Sequence, residues 1–305
     1  MKKIAISILD YNGKEQTLAC LKSLDKIDLD GITLSVIIID NYPLKVFSLD
    51  GGKFKSFTPH IIKTKDNLGF SGGHNVGIKE ALKLGVEYVV VLNNDTVVDH
   101  NLLQELVKVA ESQPHVGAVV PKIYFEKGHE YHKDRYKKEE LGKVIWYAGG
   151  HIDWANVYGI HEGVDMVDTG QFNETRQTDL LTGCCFLIKR EVLEAVGGFD
   201  ERFFLYFEDA DLNQRIKKKG YSIWFAPNAL LWHINAASTG GSGSTLQDYF
   251  LSRNRLLFGM RYAPLRTRIA LLRESVRLLR SGREWQKKGI EDYFMRRFVK
   301  GRFPR

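Results

Sequence analysis

Six side chains in this 305-residue sequence could together hold a divalent metal and supply a base. They fall into three groups along the chain: the acids Glu208, Asp209 and Asp211, the pair Asn94 and Asp95, and the late histidine His233. Carboxylate oxygens are the ligands that Mg²⁺ prefers, and a positioned carboxylate or imidazole can accept a proton. This combination is typical of an enzyme that handles a phosphorylated donor.

Three acids lie at or just beyond the ends of apolar segments that we predict to be buried strands. The strands are predicted at Lys3–Leu9, Leu34–Ile39 and Glu87–Leu92, and the acids are Asp10, Asp40 and Asp95. Helical segments such as Glu15–Leu24 alternate with these strands, which predicts a parallel sheet covered on both faces. Ligands bind at the carboxyl ends of the strands in such sheets, so we expect these acids to face a ligand.

A glycine-rich segment, Asn67–Gly77, leads into a predicted helix at Val76–Leu84. Glycines before a helix let backbone amides approach an anion, which the helix dipole also favours. We therefore predict a ligand-binding loop, with an ordinary glycine run as the alternative. The segment is not a Walker phosphate-binding loop, because no Gly-Lys-Ser/Thr follows it.

The acid cluster lies beside aromatic side chains, namely Phe203, Phe204, Tyr206 and Phe207. Apolar surroundings raise the pKa of a carboxyl group and so suit it to general-base catalysis. The cluster also begins a predicted helix, and acids in a first turn interact favourably with the helix dipole. Helix capping is therefore the alternative interpretation for at least one of the three acids.

The rest of the chain adds further predicted elements. These are a strand at His60–Ile62, helices at Leu102–Ala110 and Arg190–Val196, an exposed loop over 127–140, pocket-lining hairpins between Trp146 and Gly163, and a strand at Leu180–Ile188. The glycine- and serine-rich run Gly240–Ser244 is predicted to be a hinge, a lid or a plain surface loop.

The charge of the chain is unevenly distributed. The net charge is +7, yet residues 253–305 carry sixteen Lys and Arg against four Asp and Glu. Because this tail is also amphipathic, we predict a helical appendage that either lies on an anionic membrane or packs on its own domain. No apolar stretch approaches the roughly 20 residues that span a bilayer, and three cysteines predict no disulfide framework. These features favour the cytoplasm, with or without peripheral association with the inner face of the cell membrane.

Four motifs carry a resemblance to a known family. They are Asn67-x-Gly-x-Ser-Gly-Gly-x-Asn-x-Gly77, Leu92-Asn-Asn-Asp-Thr96, Gly197-Gly-Phe-Asp-Glu-x-Phe-Phe204 and Glu208-Asp-x-Asp-Leu212. In these residues the chain closely resembles family 2 glycosyltransferases, in particular the rhamnosyltransferase-like enzymes of bacterial cell-surface polysaccharide assembly. The resemblance runs from residue 4 to about residue 262 in the family's order.

The resemblance implies a GT-A fold, an α/β Rossmann-like fold whose mixed, mainly parallel sheet is flanked by helices. We expect the transferase domain over 1–245, with a nucleotide-binding half over about 1–120 and a catalytic half over 121–245, and the basic helical tail over 246–305. The resemblance also implies an inverting enzyme that uses Mg²⁺ or Mn²⁺. Its donor would be a nucleotide sugar, dTDP-rhamnose or a UDP-sugar, and its acceptor a glycan or a lipid-linked glycan.

The resemblance further implies roles for individual residues. Asp209 would be the catalytic base and Glu208 would orient the acceptor or the base, and we expect Asp211 to cap the helix. The residues expected at the nucleotide sugar are Asp10, Asn12, Asp40, Asn67, Gly72, Asn75 and Asn94, and those expected at the metal are Asp95 and His233. The sequence departs from the family at Asn93, where an acid is common, and at Tyr42-Pro43-Leu44, where small polar residues are usual. The nucleotide preference is therefore open.

Two other classes of protein share some of these features. A sugar nucleotidyltransferase also uses strand-end acids and a glycine-rich loop, but usually places that loop near the N-terminus. A nucleic-acid-binding protein is favoured only by the basic tail, and residues 1–252, with a net charge of −5, argue against a broad phosphate-binding surface. We therefore expect no nucleic-acid partner.

Overall fold

The computed structural model describes residues 1–49, 52–234 and 244–304. The strands are β1 (Lys2–Asp10), β2 (Ile32–Asp40), β3 (His60–Lys63), β4 (Tyr88–Asn93), β5 (Thr96–Val98), β6 (Val116–Phe125), β7 (Ile145–Tyr147), β8 (Gly150–Asp153), β9 (Tyr158–His161), β10 (Arg176–Gln177), β11 (Cys185–Lys189) and β12 (Ser222–His233). The helices are α1 (Lys14–Leu24), α2 (Gly69–Lys83), α3 (Leu102–Ser112), α4 (Arg190–Val196), α5 (Glu208–Lys218), α6 (Thr245–Tyr262), α7 (Leu265–Ser281) and α8 (Glu284–Phe294), with a short 3-10 turn at Lys133–Arg135.

A mixed sheet forms the centre of the molecule, with the strand order β10-β12-β6-β11-β4-β1-β2-β3. Strands β3, β2, β1 and β4 are parallel to one another. Strand β11 lies between β4 and β6 and is antiparallel to both, so β6 runs in the same direction as β4. Strand β12 is parallel to β6 and therefore also runs in this direction. The predicted mixed, mainly parallel sheet flanked by helices is thus confirmed. Apolar runs such as Val89–Leu92 are fully buried in it.

Most predicted elements are present, with their ends shifted by one or two residues. The predicted hairpin between Trp146 and Gly163 is formed by β8 and β9, and the strand predicted from Leu180 begins only at Cys185. Residues 127–140 contain no strand and only the 3-10 turn, as expected for an exposed loop. Of the run Gly240–Ser244, residues 240–243 lie outside the described part of the chain, and Ser244 precedes α6.

The prediction of a glycine-rich loop before a helix at Val76 is wrong. The helix begins at Gly69, so the glycines lie inside its first turns. A Cβ atom at Gly73 would lie 2.3 Å from the Leu9 side chain, and one at Gly77 would lie 2.1 Å from Ser7 Oγ. Real Cβ atoms do not approach other atoms so closely. The glycines therefore let α2 pack against β1, and this close packing outweighs their poor intrinsic helix propensity.

The three C-terminal helices pack on the rest of the chain. Leu256, Phe258 and Ile290 share a buried apolar cluster with Val157 of the hairpin region and Phe203, which precedes α5. Among the described residues no helix is both long and apolar enough to cross a bilayer. The division into a 1–245 domain and a 246–305 tail stays a prediction.

Candidate active site

Most of the predicted site residues lie at one edge of the sheet, where the parallel strands end. Asp10 and Asp40 end β1 and β2 and are direct neighbours in the parallel ladder, and Asn93 ends β4 beside them. Strand β12 runs in the same direction and ends at His233. Strand β11 runs the opposite way, so Cys185 at its start also lies at this edge, paired with Leu92 of β4. Strand direction therefore brings residues from distant parts of the sequence together.

Asp95 and His233 face each other across an antiparallel pair. Strand β5 follows Asp95 and pairs with the end of β12, so that Thr96 lies opposite His233. The imidazole Nε2 of His233 lies 3.2 Å from Asp95 Oδ1. Both side chains are largely buried. The sequence placed both residues at the metal, and the β5–β12 pairing explains why they are adjacent although 138 positions separate them.

Asp95 and His233 fit a divalent metal ion that would take its remaining ligands from a bound substrate and water. Asp95 Oδ1 and His233 Nδ1 are buried atoms that form no hydrogen bond with the described residues, which is unusual for buried polar atoms. No third His, Cys, Asp or Glu completes a metal-binding group in the described part of the chain. Mg²⁺ commonly uses one or two protein side chains and takes its other ligands from phosphate and water. The pair could therefore hold a cation only with help from a bound diphosphate.

Trp146 and His161 complete the surroundings of His233. The Trp146 ring meets the rings of His233 and His161 edge-on, with centroid distances of 4.8 and 4.6 Å. Burial, together with a smaller contribution from His233, lowers the pKa of His161 to about 4 against the opposing hydrogen bond with the Trp146 carbonyl, so this imidazole is neutral near pH 7. Neither residue was predicted to have a role in the site. Their one signal was the run of aromatic and glycine residues that predicted a pocket-lining hairpin.

Glu208 and Asp209 form a coupled acid pair at the first turn of α5. Glu208 is buried, and its Oε2 forms no hydrogen bond with the described residues. Asp209 is partly exposed and accepts hydrogen bonds from the amides of Gly183, at 3.0 Å, and Ala210, at 2.7 Å. Burial raises the pKa of both carboxyl groups. The charge of Asp209 raises the pKa of Glu208 further, so Glu208 holds its proton to higher pH.

Residues Gly183 and Cys184 link this acid pair to the sheet edge. The Gly183 amide donates to Asp209, and the carbonyl of the next residue, Cys184, accepts a 2.8 Å hydrogen bond from the Asn93 amide. Asn93 ends β4 and lies two residues before Asp95. The acid pair and the candidate metal ligand are therefore held by one short, continuous stretch of backbone.

The backbone before the acid pair is strained. Phe204, Tyr206 and Phe207 all have positive φ angles, between 65° and 70°, which non-glycine residues rarely adopt. Each such residue costs about 1–3 kcal/mol and persists only where its surroundings impose it. Residues in such conformations cluster at functional sites. The strained residues directly precede α5, so their conformation sets the direction of its first turn.

Two buried side chains of α6 hold this strained segment. Asn254 Nδ2 donates to the carbonyls of Phe203, Leu205 and Tyr206 at 2.7–2.9 Å. Arg253, fully buried, donates to the carbonyls of Phe203 at 2.9 Å and of Val299 at 2.7 Å. In the sequence, Arg253 stood out only as part of the basic tail. A charge count does not show which arginines are satisfied inside the fold.

The prediction that Asp211 caps α5 is wrong. Asp211 is fully buried and its carboxylate accepts hydrogen bonds from Arg215, at 2.8 Å, Tyr262, at 2.9 Å, and Arg261. Arg261 also donates to Asp200, at 3.1 Å. These bonds tie α5 to the end of α6, so Asp211 fixes the helix that carries the acid pair and does not itself reach a ligand.

The residues at the end of β1 are joined to the acidic motif after β4. Asp10 Oδ1 accepts a 2.6 Å hydrogen bond from Thr17 Oγ1, and Asn94 Nδ2 donates to the same hydroxyl at 2.9 Å. Burial raises the pKa of Asp10, the nearby Asp40 adds to the rise, and the Thr17 hydrogen bond opposes it. Asn12 is exposed, and its backbone has a left-handed conformation with a φ angle of 58°. Asp10, Asn12 and Asn94 thus lie together.

Asp40 is buried and anchors the loop that follows β2. Its carboxylate accepts a 2.8 Å hydrogen bond from the Phe47 amide and lies 2.9 Å from Lys63 Nζ. Tyr42 in this loop packs edge-on against Tyr11, with a centroid distance of 5.2 Å. The carboxylate of Asp40 is thus occupied within the protein, while the Tyr11 ring is 43% exposed.

Asn67, Gly72 and Asn75 of the glycine-rich motif contact other residues of the protein. Asn67 Oδ1 accepts from the Gly69 amide at 2.9 Å and from Asn41 at 3.1 Å, so it caps the start of α2 and meets the end of β2. Asn75 pairs with both backbone groups of Phe199, at 2.8 and 2.9 Å. Gly72 is buried inside α2, and a Cβ there would lie 2.9 Å from the side chain of Leu68, one turn earlier. These three residues are therefore placed to support the site's framework.

A family model and a solved structure match this chain. The model for the Glycosyltransferase like family 2 matches residues 59–259, about two thirds of the chain. A crystal structure of GalNAc-T7 with UDP, GalNAc and Mn²⁺ superimposes with a TM-score of 0.60 over 89% of this chain and 54% of that one, at 15% identity. At that identity the likeness shows the fold alone, and it confirms the predicted GT-A fold.

Two curated relatives match a smaller part of the chain. An O-antigen biosynthesis protein of Myxococcus xanthus is 34% identical over 169 residues, which cover 54% of this chain and 12% of that protein. The N-acetylglucosaminyl-diphospho-decaprenol L-rhamnosyltransferase of Mycobacterium tuberculosis is 27% identical over 188 residues, which cover 59% of this chain and 60% of that protein. The chain thus spans less than two thirds of each relative. The family match and the motifs at the sheet edge agree, and the chain belongs to the glycosyltransferase-like family 2.

Proposed function

We propose that this protein transfers a sugar, with inversion, from a nucleoside-diphosphate sugar to a hydroxyl group of a glycan or a lipid-linked glycan. One observation carries the proposal: the acid pair Glu208 and Asp209 lies at the same sheet edge as the Asp95–His233 contact. A base and a diphosphate site must be close together for such a transfer, because the attacking hydroxyl and the leaving group lie on opposite sides of one carbon atom.

Asp209 is the proposed base. It is the more exposed member of the acid pair, and the two amides that donate to it fix its orientation. Its pKa is raised by burial, which strengthens it as a base, while burial and the charge of Asp209 raise the pKa of Glu208 well above its ordinary value, which favours the protonated form of Glu208. Protonated Glu208 can donate a hydrogen bond, so it is suited to orient the acceptor or the ionised Asp209.

The proposed reaction is a single displacement. Asp209 takes the proton from the acceptor hydroxyl, whose oxygen forms a bond to the anomeric carbon. The bond from that carbon to the diphosphate oxygen breaks, and its electron pair leaves with the nucleoside diphosphate. Because the attack comes from the side opposite the leaving group, the anomeric configuration inverts. One base is sufficient, since a diphosphate leaves without being protonated.

The donor would occupy the ends of β1, β2 and β4. Asp10, Asn12 and Asn94 lie together there, and the Tyr11 ring is exposed beside them. Asp40 would contribute through the loop that it anchors, because its carboxylate already accepts hydrogen bonds within the protein. Asn67, Gly72 and Asn75 would act by fixing α2 and the Phe199 segment and would not contact the donor directly.

Asp95 and His233 are the proposed ligands of Mg²⁺ or Mn²⁺. Asp95 Oδ1 and His233 Nδ1 are buried and, apart from the 3.2 Å contact between Asp95 Oδ1 and His233 Nε2, form no hydrogen bond with the described residues, which supports this assignment. A bound cation would neutralise the charge that develops on the leaving diphosphate. Among the similar proteins, GalNAc-T7 was crystallised with Mn²⁺.

The proposal also names a donor sugar and a cellular location. The relative from Mycobacterium tuberculosis is named as a rhamnosyltransferase with a lipid-linked acceptor, so dTDP-rhamnose is our first choice of donor and UDP-hexoses are second. Nucleotide sugars are cytoplasmic metabolites, so we place the protein in the cytoplasm. A lipid-linked acceptor would require peripheral association with the inner face of an anionic membrane.

A thermal-shift panel of dTDP, UDP and their sugars, with and without Mn²⁺ or Mg²⁺, tests this proposal first. A ligand that binds only the folded state raises the unfolding free energy by about 2.7 kcal/mol at one hundred times its Kd. We expect stabilisation by one nucleotide series and a larger effect with the metal. Absence of any shift with every nucleotide, in a protein that unfolds cooperatively, would overturn the proposal.

A further inference from the structure

Helix α7 exposes an apolar stripe on the side that faces away from the protein. Its buried side chains are Thr267, Leu271 and Ser275. The stripe consists of Leu265, Ile269, Leu272 and Val276, whose exposed fractions are 73, 44, 37 and 49%. The spacing of four, three and four residues places them on one face of the helix. One face of the helix is therefore covered by the protein, and a separate, apolar face is exposed.

Arginines flank this stripe along one side. At 100° per residue, Arg266, Arg273, Arg277 and Arg280 form a neighbouring row. Among the described residues, Arg266, Arg273 and Arg280 form no ion pair or side-chain hydrogen bond, and Arg277 lies only within 3.9 Å of Glu274. Glu274 is the one acid of this helix, and it turns inward to Arg255, at 2.9 Å. The exposed face is thus apolar and basic, without a neutralising acid.

We propose that the exposed face of α7 docks the protein on an anionic membrane surface. The apolar stripe would enter the boundary between headgroups and acyl chains, and the arginine row would meet lipid phosphates, as basic amphipathic helices do. A second copy of the chain is a poorer occupant, because it would bring the same unneutralised arginines to the contact. This inference rests on the membrane association proposed above and assigns it to one surface.

Other parts of the C-terminal segment form contacts inside the fold. Asp292 of α8 accepts a hydrogen bond from Tyr249, and a Cβ at Gly289 would lie 2.4 Å from the Tyr249 carbonyl oxygen. Val299 accepts a hydrogen bond from Arg253, which holds the strained segment before the acid pair. Removing the whole tail would therefore damage the candidate active site. Substitutions confined to the outer face of α7 avoid this problem.

Vesicle co-sedimentation of the full-length protein tests the proposal. The vesicles would be pure phosphatidylcholine or contain 30 mol% phosphatidylglycerol, at a fixed ~0.1 M salt concentration. The variants are the double substitutions Arg273→Gln/Arg280→Gln and Ile269→Ser/Leu272→Ser. Lys218→Gln/Lys219→Gln removes two exposed charges elsewhere, and Leu84→Ser removes an exposed apolar side chain elsewhere. Circular dichroism and thermal melting verify that each variant folds.

We expect binding to the anionic vesicles alone, weakened roughly fivefold for each arginine removed. The apolar double variant should also bind more weakly, and neither control should differ from the wild type. Equal binding by the α7 variants and the wild type, or no binding at all, would overturn the proposal. So would a dimer that Ile269→Ser/Leu272→Ser dissociates, since a second copy would then cover the stripe. The nucleotide thermal shift is measured without vesicles, so a failure here leaves the proposed transfer reaction separately testable.

Discussion

The amide of Gly183 donates a 3.0 Å hydrogen bond to Oδ2 of Asp209. Gly183 lies just before β11, and Cys184 bonds to the end of β4, so this bond fixes the candidate base relative to the sheet edge that carries Asp95. A Cβ at Gly183 would lie 3.0 Å from the Phe70 ring. The donor amide thus sits in a space with little room for a side chain. The base is positioned by backbone, which holds its direction more firmly than a side-chain partner would.

Replacing Asp209 with Asn should remove catalysis and leave the fold intact. Asn keeps the shape of the side chain but cannot take the acceptor's proton, and general-base catalysis contributes typically about 10²–10⁴-fold. We expect kcat to fall by that factor while the donor-induced thermal shift is retained. Asp30→Asn, at an exposed position, is the control. Near-normal turnover by Asp209→Asn would show that another group is the base.

Replacing Glu208 with Gln should stabilise the fold at high pH. The raised pKa means that the folded protein prefers the protonated side chain, so its contribution to stability is present at low pH and is lost as pH rises through the folded-state pKa. Gln mimics the protonated form. We expect Glu208→Gln to melt above the wild type at pH 8, by about 2–4 °C for each kcal/mol gained, and the difference to shrink towards pH 4.

Melting curves from pH 4 to pH 9 measure this effect. Glu174→Gln, at an exposed position, is the control. A Glu208→Gln variant that melts below the wild type at pH 8 would mean that the ionised carboxylate is stabilised in the fold. The assignment of Glu208 as the protonated member of the pair would then be wrong.

Replacing Asp95 with Ala should abolish the metal-dependent part of nucleotide binding. Asp95 Oδ1 contacts His233 Nε2 at 3.2 Å and accepts no hydrogen bond from the other described residues, so its loss should cost little stability in the absence of metal. We expect the additional thermal shift given by Mn²⁺ with a nucleoside diphosphate to disappear in Asp95→Ala and to decrease in His233→Ala. Asp134→Asn, in the exposed loop, should behave as the wild type. An unchanged Mn²⁺ effect in both site variants would exclude this pair as the metal site.

Replacing Asn254 with Ala should loosen the segment that presents the acid pair. The carbonyls of Leu205 and Tyr206 would lose this donor, while the Phe203 carbonyl keeps Arg253, and an unpaired buried polar group costs about 1–3 kcal/mol. We expect a lower melting temperature and a kcat that falls more than the donor affinity does. Asn101→Ala, at an exposed asparagine whose side chain caps nothing, is the matched control. A stability loss with unchanged kcat would show that Asn254 supports the fold without positioning the site.

The sequence alone identified three of the strands that carry the site, β1, β2 and β4, and the acids at or just beyond their ends. Apolar, β-branched runs that end in Asp10, Asp40 and Asp95 are local signals, and local signals are sufficient to predict parallel strands and the edge at which ligands bind. The motifs were also sufficient to indicate the family. Glu208 and Asp209 were recognisable because three acids beside aromatic residues exceed the needs of a helix end.

Only the tertiary structure decided how these residues work together. Pairing of β5 with β12 brings Asp95 to His233, and packing of α2 on β1 turns a predicted glycine loop into helix. The sequence of the basic tail also does not show which arginines are buried. Arg253 is buried at the site, while Arg273 is exposed on α7. Both are arginines in one charged stretch of sequence. Long-range contacts assign them different roles, and neither composition nor periodicity records such contacts.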